Sequence, residues 1–340
     1  MEIKQPYLLF LGDAPDQLAA KTAFGVVDWR PEWCLGQLRL EGCGADVGID
    51  DMSIDDAIKA GAQTMVVGIV NAGGKFPEHW IISIIEALEA GMDVATGLHI
   101  RLQDLHGVFD AAKANGRQLH DIRFSDQKFA TGQGTKRQGM RLLTVGTDCA
   151  VGKKYTSLAI EKEMRARHIN ADFRATGQTG ILISGRGISI DAVISDFISG
   201  AVEWIAPEND ADHWDIIEGQ GSLFHPSFAG VTLGLLHGAQ PDAFVVCHEP
   251  TRTNMRNVKH PIADIADVIE RTKLEGSLTN PNIRCVGISV YSQAYEDKKA
   301  RAYIAELEAQ YGLPATDPIR YGAGPIVDEI QRQFPDTTNA

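Results

Sequence analysis

The chain has 340 residues, which exceeds one ordinary hydrophobic core and suits two domains. Hydrophobic residues make up 44% and charged residues 23%, the usual balance of a globular protein. A formal net charge of −13 argues against nucleic acid as a partner, because phosphate backbones demand a basic face. A small anionic ligand would need local donors and cations.

Neither the cysteines nor the apolar runs indicate export or a membrane. The five cysteines are scattered and lack paired metal-ligand spacing, which predicts reduced thiols in a cytoplasmic protein. The segment Met1–Leu11 has no basic region followed by a long apolar stretch. No apolar run approaches the ~20 residues of a membrane span. We therefore expect a cytoplasmic protein with no membrane partner.

The first half of the chain alternates strand and helix patterns. Ser53 followed by Asp56 resembles a capping box. The turns Gly12-Asp13 and Asn71–Gly74 do not form G-x-G-x-x-G, so no dinucleotide is inferred there. Alternating strands and helices predict a mostly parallel sheet with helices on both faces, in a first domain over residues 1–130. The predicted strands are 7–11, 63–70 and 92–96, and the predicted helices are 79–90 and 104–115, which end at Gly91 and Gly116.

A polar, glycine-rich stretch at 125–139 breaks this pattern, and we place the domain boundary there. A second parallel-sheet domain is predicted over residues 140–340. Its predicted strands are 141–145, 171–175, 214–218, 243–247 and 283–290, and its predicted helices are 155–167, 264–273 and 292–310.

A glycine loop after the strand at 141–145 carries the clearest chemistry. The phosphate-binding pattern is G-x-x-x-x-G-K-[ST], and Gly146, Gly152 and Lys153 match it. The glycines let backbone N–H groups surround an anion, while the helix N-terminus and Lys153 add positive charge. A phosphate-bearing cofactor is therefore predicted. The residues assigned to it are Gly146, Thr147, Asp148, Cys149, Ala150, Val151, Gly152, Lys153, Lys154, Tyr155 and Thr156.

Lys154 stands where the pattern has Ser or Thr, whose hydroxyl ligates the magnesium of a nucleoside triphosphate. Thr156 is no substitute, because two residues along a helix turn a side chain by about 200°. A second lysine neutralises phosphate without a metal. We therefore expect no metal and a phosphate-rich cofactor that is not hydrolysed, such as coenzyme A.

Glycine-rich segments follow two other strands of the second half. Gln178, Thr179 and Arg186 come after the strand at 171–175, and open α/β sheets bind ligands at the carboxyl ends of strands. We expect these residues near the phosphate loop. Arg186 is a candidate clamp for a substrate carboxylate, with an ordinary surface arginine as the alternative.

The segment 218–226 follows the strand that begins at 214. P-loop proteins place a metal ligand or a water-activating group at this strand end. Glu218 and His225 can each take a proton and are candidate catalytic bases, and Ser222 is a candidate substrate contact. The alternatives are a structural partner of Lys153 for Glu218 and a packed loop histidine for His225.

Arg252 and Cys149 complete the candidates. Arg252 follows the strand at 243–247 and is a second candidate carboxylate clamp, with a solvated loop arginine as the alternative. The N–H groups of the loop could lower the pKa of Cys149 and make its thiol reactive. We favour the simpler interpretation, a small residue tolerated in the loop.

The glycine loop resembles that of dethiobiotin synthetase. Together, the segments 146–156, 177–180 and 218–226 resemble a bacterial family that pairs a Rossmann-like N-terminal domain with a P-loop-type C-terminal domain. Characterised members of that family are D-glutamate N-acetyltransferases of the DgcN type. The resemblance covers nearly the full chain, and 218–226 is its most specific segment.

This resemblance implies transfer of an acetyl group from acetyl-CoA to the amino group of D-glutamate, with the product passed to a racemase. It implies that coenzyme A phosphates lie on 146–154 and that Arg186 and Arg252 hold the two carboxylates. Glu218 or His225 would deprotonate the amine, and backbone N–H groups of 219–222 or 177–180 would stabilise the oxyanion. We expect a homo-oligomer. The N-terminal domain would serve either dimerisation or the substrate pocket.

Two other functions stay open. One is a magnesium- and ATP-dependent kinase or ligase of the dethiobiotin synthetase sort, with Glu218 as a metal ligand, although Lys154 counts against it. The other is a non-catalytic nucleotide sensor that assembles with partners and binds its cofactor without turnover.

Overall fold

The computed structural model describes residues 3–17, 19–69, 76–98, 100–124 and 127–338. The chain divides into two compact units. The first unit comprises Met1–Gln127 and Gly177–Ala192, and the second comprises Lys128–Thr176 and Val193–Ala340. The predicted turn Asn71–Gly74 and the first two residues of the predicted boundary segment lie outside the described residues.

Parallel strands joined by helices make up both units. The strands are β1 (Tyr7–Gly12), β2 (Cys34–Arg39), β3 (Thr64–Val67), β4 (Asp93–Thr96), β5 (Leu119–Asp121), β6 (Met140–Gly146), β7 (Ala171–Arg174), β8 (Trp214–Ile217), β9 (Ala243–His248), β10 (Arg284–Val290) and β11 (Ala315–Thr316). The helices are α1 (Lys21–Trp29), α2 (Ile54–Lys59), α3 (Glu78–Ala90), α4 (Val108–Ala114), α5 (Lys153–Ala166), α6 (Gln178–Ser184), α7 (Ile198–Ile205), α8 (Ala229–Ala239), α9 (Ile265–Gly276), α10 (Asp297–Tyr311) and α11 (Gly324–Gln333).

The sheet of the first unit has the strand order β2-β1-β3-β4-β5 among the described residues. Every pairing in it is parallel, for example Leu9 opposite Val66 between β1 and β3. All six residues of β1 are buried, as a central strand covered on both faces requires. The chain leaves β1 and β3 toward opposite edges of the sheet. This is the doubly wound, Rossmann-like arrangement predicted from the sequence.

Helix α6 joins the first unit although it lies far along the chain. It packs against α1, the amide of Ile3 donates to the carbonyl of Gly185 (2.9 Å), and the hydroxyl of Tyr7 donates to Leu182 (3.5 Å). The apolar run 181–183 is buried there. The sequence-based limits of 140–340 assign this segment to the second domain. The structure differs because this apolar run is buried within the first unit.

The sheet of the second unit has the order β11-β10-β9-β6-β8-β7 among the described residues. Its pairs are also parallel, and Leu143 of β6 lies opposite Ile217 of β8 on one side and Phe244 of β9 on the other. Strand β6 is therefore central. The carboxyl ends of β8, β6 and β9 meet at one edge, where open parallel sheets bind their ligands.

Local signals located several helix ends correctly. The hydroxyl of Ser53 accepts the amide hydrogen of Asp56 (3.1 Å) at the start of α2, which confirms the capping box. Helix α3 ends at Gly91, whose φ of 108° lies in the left-handed region. Asp264, predicted as the first residue of a helix, is the N-cap of α9 and accepts from the amide of Ala266 (2.7 Å).

Two predicted helices begin later than expected. The helix expected from 104 begins at Val108, after Gly107 with a φ of 79°. The helix expected from 292 begins at Asp297, because the amide and hydroxyl of Ser292 both bond the carboxylate of Asp317 (3.0 and 2.6 Å). None of the helices in the described ranges has the length and apolar character that crossing a membrane demands.

Candidate active site

The predicted phosphate loop joins β6 to α5 in the second unit. Helix α5 begins at Lys153, two residues earlier than expected, so Lys153 and Lys154 both lie in its first turn. Gly152 precedes it with a φ of 98°, a conformation that strains any residue with a side chain. The left-handed turn therefore sets the direction in which the helix N-terminus and its N–H groups point.

Lys153 lies inside the loop rather than in solvent. Its side chain is buried, and its Nζ donates to the backbone carbonyl of Asp148 (2.7 Å). Burial lowers the pKa of its ammonium, against the opposing effect of Cys247, Cys149 and Asp148. A buried cation without a full countercharge is the setting in which an anionic ligand is most stabilised.

Asp148 ties the loop to the segment that follows β9. Its carboxylate accepts from the amide of Cys149 (2.6 Å), from Nη1 of Arg252 (2.7 Å) and from the amide of Arg256 (2.7 Å). Burial raises the pKa of Asp148, but these hydrogen bonds lower it more, so its pKa lies below the ordinary value. Asp148 is thus an anionic link within the protein.

Arg252 is bound to the loop itself. Besides Asp148, its guanidinium donates to the carbonyls of Cys149 (2.6 Å) and Ala150 (3.3 Å), and it lies 3.5 Å from the carboxylate of Glu249. These acceptors occupy the N–H groups of the guanidinium that a substrate carboxylate would need. The geometry therefore favours Arg252 as a clamp on the loop, and the predicted role on substrate has no support from it.

His225 is a packed histidine, with only 1% of its surface exposed. Its Nε2 lies 2.9 Å from the carbonyl of Arg256, and its Nδ1 accepts from the amide of Ser227 (3.2 Å). Its ring lies 4.5 Å from that of Phe228. Both ring nitrogens are thus engaged, Nε2 by a carbonyl and Nδ1 by an N–H, and neither is directed at a ligand. The geometry favours the packed-histidine interpretation over a catalytic base.

Glu218 lies directly after β8 and is 3% exposed. Its Oε2 accepts from the amide of Thr176 (3.0 Å), and its carbonyl accepts from the Thr176 hydroxyl (2.6 Å). The next residue, Gly219, donates its N–H to the hydroxyl of Thr144 (2.9 Å). A Cβ on Gly219 would come within 1.6 Å of the Thr144 carbonyl, so only glycine fits. The carboxylate is thus held in one place by its own backbone surroundings.

The hydrogen bond from Gly219 to Thr144 limits which N–H groups can serve as the predicted oxyanion donors. The N–H of Gly219 is already engaged, so within 219–222 that role falls to the residues after it. Ser222 is buried, and its hydroxyl accepts from the amide of Phe224 (3.3 Å). Its side chain therefore shapes the turn of the segment 218–226, and a contact with substrate stays a prediction.

The residues at the end of the predicted cofactor segment point in different directions. The ammonium of Lys154 lies over the ring of Tyr155, 4.3 Å from its centroid. The hydroxyl of Thr156 is buried and bonds the carbonyl of Gly152 (3.1 Å) and the hydroxyl of Ser289 (2.7 Å). Thr156 thus faces β10, in agreement with the helical rotation.

His248, the last residue of β9, was not among the predicted site residues. Its Nδ1 lies 3.1 Å from the hydroxyl of Thr147, and its ring stacks on Tyr303. Burial lowers the pKa of His248, despite the nearby Glu249 and Asp264. Its imidazole is therefore neutral at pH 7 and supports the loop. Its position at a strand end, the signal that identified Glu218, would have found it.

The remaining predicted substrate residues belong to the first unit. Gln178 lies beside Gly97, at the carboxyl end of β4, and Arg186 is exposed. Thr179 follows Gln178 in α6. Their proximity to the phosphate loop stays a prediction, as does their contact with substrate.

The loop also contains a set of groups that could hold a metal ion. One ligand atom each from Asp148, Cys149 and His225 lie within 4.8 Å of one another. The carboxylate and the imidazole also make the hydrogen bonds described above, and the expected absence of a metal stays a prediction. Burial raises the pKa of the Cys149 thiol, although Lys153 opposes it, so the geometry does not favour a reactive thiolate.

Comparisons with known proteins agree with this architecture. Residues 38–125 match a family described as the DUF1611_N Rossmann-like domain, and residues 128–327 match the DUF1611_C P-loop domain; both are domains of unknown function. A structure of a DUF1611 family protein from Anabaena variabilis aligns with a TM-score of 0.83 and 29% identity, over 97% of this chain and 100% of that one. The predicted fold class is confirmed.

Two curated relatives cover almost the whole chain. A protein of Tritonibacter scottomollicae named D-glutamate N-acetyltransferase is 51% identical over 331 residues, 96% of this chain and 99% of its own. A protein of Pseudoalteromonas sp with the same name is 49% identical over 331 residues, 97% of this chain and 100% of its own. With both of its domains matched in order, the chain belongs to the DUF1611 family.

Proposed function

We propose that this protein is a D-glutamate N-acetyltransferase and that acetyl-CoA is its acetyl donor. The activity follows from the two full-length relatives with that name. The observation that supports the donor is the loop itself. Lys154 replaces the magnesium ligand of P-loop proteins, and Thr156 is bonded to Ser289. Such a loop suits a phosphate-rich ligand whose phosphates stay intact.

The phosphates of coenzyme A would lie against the loop and the first turn of α5. Backbone N–H groups at the helix N-terminus and the buried Lys153 would meet their charge. A bound anion raises the pKa that burial lowers, and so stabilises the ammonium. The second lysine, Lys154, adds charge at the rim. The clamp of Arg252 and Asp148 would hold the loop in the binding conformation before the cofactor arrives.

Glu218 is the general base in this proposal. The α-ammonium of glutamate cannot attack until it loses a proton, and a fixed carboxylate at the strand end can accept it. His225 cannot accept a second proton without losing the bond from the Ser227 amide. We therefore assign His225 to positioning, because it holds the carbonyl of Arg256, whose amide binds Asp148.

The chemical step forms one bond and breaks one. The neutral amine attacks the thioester carbon, and the carbonyl oxygen becomes an oxyanion that needs donors aimed at it. We assign this role to the N–H groups of Gln220 and Gly221, since that of Gly219 is engaged. Collapse of the intermediate breaks the C–S bond, and the proton that the attacking nitrogen loses as it becomes an amide goes to the departing thiolate, so that coenzyme A leaves as a thiol. The proton taken up earlier by Glu218 passes to solvent. The amide product keeps both glutamate carboxylates.

Further proposals concern the partners and the place of the protein. We propose a homo-oligomer in the cytoplasm whose product is consumed by an N-acetyl-D-glutamate racemase. Light scattering of the purified protein would measure the oligomer. A coupled assay, in which the racemase is added after acetylation is complete, would show whether the product is its substrate.

A thiol-release assay tests the activity. Purified protein and acetyl-CoA are mixed with D-glutamate, L-glutamate or D-aspartate, with and without EDTA. We expect release of coenzyme A with D-glutamate alone and no loss of rate in EDTA. No release with any amine, together with magnesium-dependent ATP hydrolysis by the same preparation, would overturn the proposal in favour of a kinase or ligase.

Glu218→Gln tests the base. The amide keeps the size of the side chain but cannot take the proton, so kcat should fall by about 10²–10⁴-fold. The exposed Glu270→Gln, which changes charge equally, serves as the control and should leave kcat unchanged. A near-normal kcat for Glu218→Gln would remove Glu218 from the mechanism.

A further inference from the structure

A cavity in the first unit lies between α4 and β5, whereas the phosphate loop belongs to the second unit. Its volume is about 470 Å³, within the roughly 300–1,000 Å³ of small-molecule sites. We call it the α4 cavity and define it by six of its lining residues. They are Arg101, Phe109, Lys113, Arg117, Asp121 and Phe124.

The periods of a strand and of a helix bring these side chains together. Arg117 and Asp121 are four positions apart in the segment that leads into and forms β5. Both side chains lie on the side of this segment that faces the cavity. Phe109 and Lys113 are four apart on α4 and share one helical face. A cationic side chain thus comes from each of the two elements.

The α4 cavity is basic in a chain whose formal net charge is −13. Three cations, Arg101, Lys113 and Arg117, line it with one carboxylate, Asp121. The Arg117 guanidinium is fixed by bonds to the carbonyls of Gly91 (2.8 Å) and Asn115 (3.0 Å). A preformed cluster of positive charge attracts an anion without the entropy cost of gathering it.

The single carboxylate of Asp121 offsets only one of the three positive charges. One of its carboxylate oxygens accepts from the amide of Leu102 (2.7 Å), which holds the turn that follows Arg101. The formal sum of the four charged groups is +2. A phosphate monoester, whose charge is between −1.5 and −2 near pH 7, matches this sum more closely than a single carboxylate does.

The aromatic side chains point to the rest of the ligand. The Arg101 guanidinium lies over the ring of Phe124, 4.7 Å from its centroid, so the two form a flat stacked surface. Phe109 is 51% exposed among the charged side chains. Exposed aromatic rings beside fixed cations are the elements with which proteins stack and hold a nucleobase.

We propose that the α4 cavity binds a nucleoside monophosphate, with its phosphate on Lys113 and Arg117 and its base against Phe109 and Phe124. Two sources carry this chemistry. One is a free nucleotide such as AMP. The other is the 3′-phosphoadenosine end of a second coenzyme A molecule, separate from the acetyl donor on the phosphate loop, and only that source rests on the proposed function. The cavity is then a nucleotide site additional to the phosphate loop.

Equilibrium titration of the full chain tests this, with AMP and adenosine 3′,5′-bisphosphate as the probes. Lys113→Glu should weaken binding at least about tenfold, a change of 1.4 kcal/mol. Lys59→Glu makes the same charge change on an exposed lysine of the same unit, and should leave binding within about twofold. Lys153→Ala should leave AMP binding intact, because Lys153 belongs to the phosphate loop.

The probes separate the sources. Binding of AMP and the bisphosphate with equal affinity indicates a free nucleotide, whereas a clear preference for the bisphosphate indicates coenzyme A. Phe109→Ala removes an exposed ring and should weaken either probe even if Lys113→Glu fails to fold. The proposal is overturned if neither probe binds, if binding is lost in Lys153→Ala, or if it withstands both Lys113→Glu and Phe109→Ala. Coenzyme A release with D-glutamate is measured separately, so its failure is distinguishable.

Discussion

The loop that follows β1 and the loop that follows β6 occupy equivalent places in two similar sheets. Each leaves a buried parallel strand at a glycine, Gly12 or Gly146, and each leads to a helix. The second loop runs straight into α5 and encloses the buried Lys153. By the rule for open α/β sheets, both are places where a ligand could bind.

The first loop is filled by the protein's own side chains. A Cβ on Gly12 would come within 2.8 Å of the Trp80 indole, and that indole donates to the carboxylate of Asp13 (2.7 Å). His79 lies 3.0 Å from the other carboxylate oxygen. The first loop is therefore acidic and occupied, while the second is built for an anion. The sheet supplies the crevice, and the residues of the loop decide what binds.

Among changes in the two loops, the largest expected effect is that of Lys153→Ala. Removing the buried ammonium takes away the charge that meets the cofactor, so kcat/KM for acetyl-CoA should fall by about 10²–10³-fold. The matched Lys154→Ala, whose ammonium lies over Tyr155, should cost less than about tenfold by the same measure. Equal losses in the two variants would contradict the distinction between an inner and an outer lysine.

Gly219→Ala should disturb the second loop through its packing. The added Cβ meets the Thr144 carbonyl, so the backbone must shift, and we expect about 3 kcal/mol less free energy of unfolding in urea. Gly230→Ala is the control, because a Cβ there meets nothing within 4 Å. In helix α8 that change should add about 0.5–1 kcal/mol. A fully stable Gly219→Ala would show that this turn adapts.

Asp148→Asn should loosen the clamp on the second loop. It replaces a charged acceptor of Arg252 and Arg256 by a neutral one, at a cost of about 2 kcal/mol. We expect a higher KM for acetyl-CoA with a smaller change in kcat, because the loop is then less ordered before binding. Steady-state kinetics check this, and a fall in kcat at unchanged KM would indicate a direct role in the chemistry.

Asp13→Asn should have the smallest effect and should act only on stability. Partial burial raises the pKa of Asp13, but bonds from Trp80 and His79 lower it further, below the ordinary 3.8. A lowered pKa contributes stability above pH 3.8 that is lost as the pH falls through the folded-state value. The wild-type advantage over Asp13→Asn should therefore be present at pH 6 and vanish near pH 2. Unfolding curves at the two pH values measure it, and an altered rate of acetyl transfer would contradict the contrast between the loops.

Structural features that depend only on a few neighbouring residues could be predicted from the sequence. The capping box at Ser53, the helix end at Gly91 and the loop at 146–153 each depend on local backbone geometry. The partners of His225 and Arg252 could not be predicted, because the Arg256 carbonyl and Asp148 reach them only through the fold. For the same reason, β5, a strand of three residues, and α6, which packs far from its neighbours in sequence, were missed.

The placement of α6 sets an order of events during synthesis. The first unit contains Gly177–Ala192, so it is not complete when residue 127 leaves the ribosome. Until the segment from Gln178 has emerged, α6 cannot cover its surface on α1. The amide of Ile3 likewise lacks its acceptor, the carbonyl of Gly185. A fragment ending at residue 127 would lack α6, and the second unit is interrupted by the same segment, Gly177–Ala192. Neither unit is therefore one continuous stretch of the chain, and the first can close only after part of the second has been synthesised.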